Sequence, residues 1–243
     1  MDARADAFGR ALLDWTRGGI DLEMYERDDG FIEAGPGPEL YLAEARRWPS
    51  VERRSMRLVR GRVLDVGCGA GRVALHLQQR GVEVVGADAS ALAIRAAARH
   101  GVRHTWCASV RTIGRRIGEF DTVVLFGNNF GIFGSPDRVR AGYARWARWT
   151  RPGTRILTES TDPAGYAPAF DAAYRRRNVE RGRLAGEARL RIRYHDLATP
   201  WFSWLFVSPR DMEQLLAGTG WRIARLLVDE PAAPYVAVLE HDR

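Results

Sequence analysis

The chain has 243 residues, 46% of them hydrophobic and 28% charged, which suits one α/β domain with a packed core and excludes wholesale disorder. Its 37 basic residues against 30 acids give +7, but all 37 are arginine and they are spread along the chain, so the charge reads as a solvated surface rather than a nucleic-acid track. No apolar run approaches the ~18–20 residues of a membrane span, the acidic start Met1-Asp2-Ala3-Arg4-Ala5-Asp6 has no secretory h-region, and two cysteines, Cys68 and Cys107, build neither a disulfide framework nor a four-ligand zinc site. A soluble, cytoplasmic, single-domain protein without a metal is expected.

Residues 2–17 predict an amphipathic helix, with Phe8, Leu12, Leu13 and Trp15 near one stripe and Gly18-Gly19 as its break. Gly35-Pro36-Gly37-Pro38 is a loop by its turn chemistry. Two short helices, over 39–47 and 50–58, lead into Gly61, so residues 1–60 read as a helical cap. From Arg62 the rhythm changes. Short apolar strands are expected at 63–66, 82–87, 102–107, 120–126 and 155–158. Helices are expected at 71–80, 89–100 and 136–150, the first two ended by Gly81 and Gly101. Such alternation implies a parallel sheet covered on both faces. Residues 160–207 interrupt it. Ala188, Leu190, Ile192 and Tyr194 alternate with Arg189, Arg191 and Arg193, a strand with one basic face. Trp201 to Val207 is a nearly continuous apolar strand, and a turn near Asp196 and Pro200 makes the two an inserted β-hairpin. Ser208 as N-cap and Pro209 in the first turn start a helix that ends at Gly218–Gly220. Strands at 221–228 and 235–240 close the chain.

The chemistry concentrates in Val63-Leu64-Asp65-Val66-Gly67-Cys68-Gly69-Ala70-Gly71. A strand runs into glycines and then into a helix. The glycines admit a ligand close to the backbone, and the helix N-terminus aims unpaired N–H groups at it. A dinucleotide fingerprint would put its third glycine where Arg72 stands, and a phosphate-binding Walker loop would need a lysine that the chain lacks. Asp88 lies 17 residues after Gly71, where a second parallel strand delivers a carboxylate beside the loop. Such a group accepts hydrogen bonds from vicinal ribose hydroxyls.

Together with Phe120-Asp121-Thr122-Val123-Val124-Leu125-Phe126 and Arg151-Pro152-Gly153-Thr154, these segments resemble the class I S-adenosylmethionine-dependent methyltransferases over residues 60–160. The resemblance implies a Rossmann-like α/β fold. Its seven-stranded, mostly parallel sheet would carry helices on both faces, here with an N-terminal helical cap and the inserted β-hairpin as a lid. It implies S-adenosyl-L-methionine as cofactor and S-adenosyl-L-homocysteine as product. The first loop, holding the methionine and ribose part, falls on Asp65, Gly67, Cys68 and Gly69. The ribose acid falls on Asp88, with Ala89 against the adenine. The Asp that often follows the third strand is replaced by Ser109, beside Val110, and a serine hydroxyl still makes one hydrogen bond to the adenine. Phe126 falls near the adenine or the methionine chain.

In open α/β sheets ligands bind beyond the carboxyl ends of the strands, which places Asn128 and Asn129 toward an acceptor or, alternatively, in an Asx turn. Trp201, Phe202 and Trp204 in the insertion offer aromatic walls for a small planar or apolar molecule, or packing between hairpin and sheet. Tyr166 is a further acceptor candidate, and His195 is the candidate proton acceptor, although it falls on the arginine face of its strand. Transfer from a sulfonium also proceeds by alignment and desolvation alone. The expected function is methyl transfer to O, N or C of a small molecule, as in bacterial specialised metabolism, by a monomer or homodimer spanning residues 1–243 with the lid at 160–207. The alternatives are an RNA or protein methyltransferase, suggested by the charge, and a non-catalytic cofactor-binding subunit.

Overall fold

The computed structural model describes residues 5–165, 170–230 and 234–241. Its N-terminal part holds α1 (Ala7–Trp15), β1 (Met24–Arg27), β2 (Ile32–Ala34), α2 (Pro38–Tyr41) and α3 (Ser50–Ser55). The alternating part follows as β3 (Val63–Val66), α4 (Arg72–Gln79), β4 (Val84–Asp88), α5 (Ala91–His100), β5 (Thr105–Cys107), β6 (Thr122–Leu125), α6 (Pro136–Trp149) and β7 (Arg155–Ser160). The remainder comprises α7 (Ala172–Glu180), β8 (Glu187–Tyr194), β9 (Leu197–Ala198), β10 (Phe202–Leu205), α8 (Pro209–Leu216), β11 (Trp221–Leu227) and β12 (Tyr235–His241).

Seven strands form the main sheet in the order β11-β12-β7-β6-β3-β4-β5. The five from β7 to β5 run parallel, and β12 is antiparallel to both its neighbours. The chain moves outward from β3 to β5 and then returns to the other side of β3, so strand order reverses between β3 and β6. That reversal opens a crevice at the strands' carboxyl ends. Adjacent residues point to opposite faces, as strand geometry requires. Leu64, Val123 and Ile156 join Tyr143 and Trp146 of α6 on one face. Val63, Val124 and Leu157 join Val73 and Leu77 of α4 on the other. The expected helices and strands of this part are present within a few residues of their predicted ends.

The expected N-cap of α8 is realised as a capping box: Ser208 Oγ accepts the Asp211 N–H at 3.1 Å while the Asp211 side chain returns to the Ser208 backbone. At the other end of the chain, α1 lies on α5 through Ala7, Ala11 and Leu12 against Leu92, Ala93 and Ala96. Asp6 caps α1, accepting the Gly9 N–H at 2.9 Å, and also accepts the Ser90 hydroxyl.

The structure differs from the sequence-based expectation in the cap and the insertion. The cap is not helical throughout, because β1 and β2 form a hairpin within it. That hairpin pairs with β8, so β10-β8-β1-β2 make a second, antiparallel sheet, with β9 beside β8. The insertion also contains a helix, α7, that its weak apolar periodicity concealed. Asp171 caps it by accepting the Ala173 and Tyr174 N–H groups, and Asn178 ties it down by donating to the Ala185 and Glu187 carbonyls. The basic face of β8 lies on the outside of the second sheet. There Glu26 of β1 takes Arg191 in a two-pronged pair at 2.7 Å and also binds Arg193, which holds the Glu26 carboxyl down at about 2.

Candidate active site

A cavity of about 600 Å³ lies between the carboxyl edge of the main sheet and the inner face of the second sheet. Its floor is the Gly67–Ala70 loop after β3, the Phe126–Asn129 segment after β6, and Glu159 and Thr161 at and just beyond the end of β7. Tyr25, Leu190, Ile192, Phe202 and Trp204 roof it from the second sheet. Strand register explains this selection, since Tyr25 pairs with Ile192 and Phe202 with Leu190, which puts all four on one face. Phe8, Tyr41, Glu52 and Phe170 complete the walls.

The loop owes its shape to glycine. Gly67 and Gly71 have φ of +69° and +80°, the left-handed region that side chains disfavour. A Cβ on Gly67 would lie 2.4 Å from the Asn129 amide nitrogen, and one on Gly71 would lie 2.5 Å from a Val102 methyl. The first glycine therefore lets Asn129 cross the loop, and the third lets α4 pack on the turn after α5. The Asn129 amide donates to the Val66 and Gly67 carbonyls at 3.1 and 3.3 Å. Asp88 braces the loop from the other strand. One oxygen accepts the Gly69 N–H at 3.0 Å and the other the Ser90 N–H at 2.9 Å, and burial pushes its carboxyl above the usual range. Asp65 accepts the Ala74 N–H at 3.2 Å in the first turn of α4, and burial raises it to about 7.

Charge is concentrated at this end of the cavity. Both oxygens of Glu52 bind the Arg72 guanidinium, at 2.6 and 2.7 Å, and that guanidinium also lies 4.8 Å from the Trp48 ring centre. Glu159 accepts the Gly127 N–H at 3.0 Å. Burial first, and the adjacent Glu52 carboxyl second, push Glu159 well above the usual carboxylate range. Next to Gly127, Asn128 takes a left-handed φ of +61°, its side-chain oxygen accepts the Thr161 hydroxyl at 2.8 Å, and its carbonyl accepts the Trp204 indole N–H at 3.1 Å. The cavity thus joins charged and glycine-lined walls to aromatic ones.

Residues 63–153 match a family model described as a methyltransferase domain. Over 124 residues the chain is 32% identical to a 2-heptyl-1-hydroxyquinolin-4(1H)-one methyltransferase of Mycobacteroides abscessus, a match that covers 48% of this chain and 53% of that protein. The chain therefore spans about half the length of this curated relative. A crystal structure of an S-adenosylmethionine-dependent methyltransferase from Bacteroides fragilis in complex with S-adenosyl-L-homocysteine superposes over 99% of this chain and 97% of its own, with a TM-score of 0.83 at 25% identity. The chain is thus similar in fold to S-adenosylmethionine-dependent methyltransferases, and its residues 63–153 match their methyltransferase domain. The DesVI structure from Streptomyces venezuelae, at 19% identity and a TM-score of 0.58 over 86% of this chain and 94% of its own, shares the fold.

The structure gathers some expected site residues and disperses others. Asp65, Gly67, Cys68, Gly69, Phe126, Asn128, Asn129, Phe202 and Trp204 all contribute to the cavity wall. Asp88, Ala89, Ser109 and Val110 do not; they flank the glycine loop at the ends of β4 and β5, with the Ser109 hydroxyl accepting the Arg111 N–H at 3.3 Å and Val110 buried in the main core. Trp201 is corrected from the cavity to the outer face, where its ring packs 4.7 Å from the Arg191 guanidinium, because it stands one residue out of phase with Phe202 and Trp204. His195 is also outside the cavity. It occupies the β8–β9 turn at φ +52°, its side chain half exposed and 3.4 Å from Asp21. That position offers a surface contact with Asp21 and no route to an acceptor in the cavity. Tyr166 lies outside the described residues. The sequence reasoning missed Glu52, Arg72 and Glu159. Arg72 directly follows the glycine loop, and Glu159 is an acid near the carboxyl end of a strand, which is the signal that could have marked it.

Proposed function

We propose that this enzyme moves the sulfonium methyl of S-adenosylmethionine to an O, N or C atom of a small, planar, largely apolar acceptor. The observation that carries this proposal is the continuity of the cavity from the glycine loop to the Phe202–Trp204 roof. Donor and acceptor would then share one enclosure, with the acceptor's atom held in line behind the methyl group and water excluded. The cofactor supplies an electrophilic methyl carbon; the chain's residues bind, orient and exclude water. On the donor side, the Cβ-free loop at Gly67 and Gly69 fits a ligand lying against backbone. Asp88 retains a free lone pair on each oxygen after accepting Gly69 and Ser90, enough for two ribose hydroxyls. Ala89, Ser109 and Val110 flank that position and are assigned to the adenine; Asp65, Cys68 and Phe126 are assigned to the rest of the donor. On the acceptor side we assign Asn128, Asn129, Phe202 and Trp204.

The quinolone substrate of the Mycobacteroides abscessus relative, a planar ring with an apolar chain, has the shape such a pocket takes. Pairing of the outer arginines with Glu26 weakens the case for a nucleic-acid acceptor. We further propose that residues 1–243 form one catalytic domain, working as a monomer or homodimer in the cytoplasm, where the donor is made. The test is incubation with methyl-labelled donor and 2-heptyl-1-hydroxyquinolin-4(1H)-one alongside a panel of planar hydroxylated heteroaromatics. Label should enter at least one of them. Donor binding without transfer to any planar acceptor would overturn the acceptor class.

A further inference from the structure

Three acids and one guanidinium meet at the donor end of the cavity, and their pairing is unequal. Glu52 on α3 uses both oxygens on Arg72 of α4, so this pair is closed. Glu159 at the end of β7 is 3% exposed and forms part of the cavity wall. Its Oε2 accepts the Gly127 N–H at 3.0 Å; among the described residues, Oε1 meets no N–H or hydroxyl donor. Instead the Glu52 carboxyl shares the cavity wall with it, and burial together with that neighbouring acid pushes Glu159 well above the usual carboxylate range. The other charged groups do not offset this acid. Asp65 on β3 adds a further acid, Val236 opposite Glu159 on β12 is apolar, and Glu33 faces the cavity from β2. Arg27 on β1, the other guanidinium of the lining, binds Asp29 and Asp171. A carboxyl buried beside another acid resists ionising.

We propose that Glu159, buried in the cavity wall beside the closed Glu52–Arg72 pair, holds a proton in the free enzyme and gives it up when the cationic cofactor binds, so that Glu159 becomes the negative charge that faces the donor's positive charge. This rests on the cofactor reading above. S-adenosylmethionine carries two cations, the sulfonium and the α-ammonium, and the product keeps only the ammonium. A positive charge arriving beside Glu159 stabilises its carboxylate, so the O–H bond breaks with its electron pair left on Glu159 and the proton passes to the buffer. Donor binding and proton release are then linked, and each pH unit below neutrality weakens donor affinity.

The test is calorimetric titration of the full chain with S-adenosylmethionine at pH 7 in phosphate, HEPES and Tris, whose ionisation enthalpies differ. The slope of observed heat against ionisation enthalpy counts protons, and about one should leave per donor bound. In Glu159→Gln the slope should vanish and the donor dissociation constant rise about tenfold. In Glu52→Gln, which removes the neighbouring carboxylate, the slope should shrink. Release with both S-adenosylmethionine and S-adenosylhomocysteine assigns the effect to the ammonium; release with the former alone assigns it to the sulfonium. Both support the proposal. Buffer-independent heat in the parent protein, or an unchanged slope in Glu159→Gln, would overturn it. Absence of any donor binding, by heat and by melting shift, is a separate result that overturns the cofactor reading and this inference with it.

Discussion

Asp88 is positioned to serve the site without entering the cavity. Its two oxygens hold the backbone of Gly69 and Ser90, so the carboxylate both shapes the glycine loop and presents its remaining lone pairs beside it. Asp88→Ala should therefore weaken binding of S-adenosylhomocysteine by about 2–3 kcal/mol, the scale for losing charge-assisted hydrogen bonds. The fold should persist, because the residue ends a strand. Calorimetric titration checks this, and an unchanged dissociation constant would remove the ribose assignment. At this scale the sequence was informative where function depends on adjacent residues. The run Asp65 to Gly71 displays its own chemistry, and a carboxylate one strand later is legible at Asp88. Glu52 was not, because it is unremarkable in its own segment and acquires meaning only from Arg72 and Glu159, and Glu159 had only the weak signal of an acid at a strand end.

The second sheet shows how an element's phase decides function. Phe202 and Trp204 point inward, Trp201 and the β8 arginines do not, and one residue of register separates the two sets. Trp204 is further pinned by its indole bond to the Asn128 carbonyl. Trp204→Ala is expected to cost acceptor turnover about 2–4 kcal/mol in kcat/KM, the scale of a lost aromatic pocket face. Donor affinity should stay within a few-fold, and Trp201→Ala should behave like the parent enzyme. Equal losses in both variants, or a collapse of melting temperature with both ligands affected together, would show the rings to be packing between sheets. The apolar alternation of residues 188–194 made this strand readable; β1 and β2 escaped because they are short and largely polar and gain their stability from β8.

Across the whole molecule, buried acids make stability depend on pH in one direction. Glu23 is 0% exposed and burial raises it to about 7 from 4.5, while Asp65 also reaches about 7. A carboxyl whose folded value is raised contributes its full stability below its unfolded value and loses it as pH climbs through the folded value. For Glu23 that difference corresponds to about 3 kcal/mol, lost between roughly pH 4.5 and pH 7 and above. Melting temperature should thus fall from pH 5 to pH 8. Glu23→Gln should match the parent protein near pH 5 and exceed it increasingly toward pH 8; parallel curves would refute the assignment. The sequence by itself determined the parallel sheet, the glycine loop, the acid at Asp88 and the capped helix at Ser208. Each of these follows from contiguous residues through strand period, backbone freedom or a cap three residues long. Tertiary structure decided the roof and the charged floor. Pairing β1 with β8 joins segments more than 150 residues apart, and the Glu52–Arg72–Glu159 cluster draws on three separate elements. Neither is written in local pattern, because what stabilises them is burial and charge contact between distant segments, and those contacts exist only once the chain has closed.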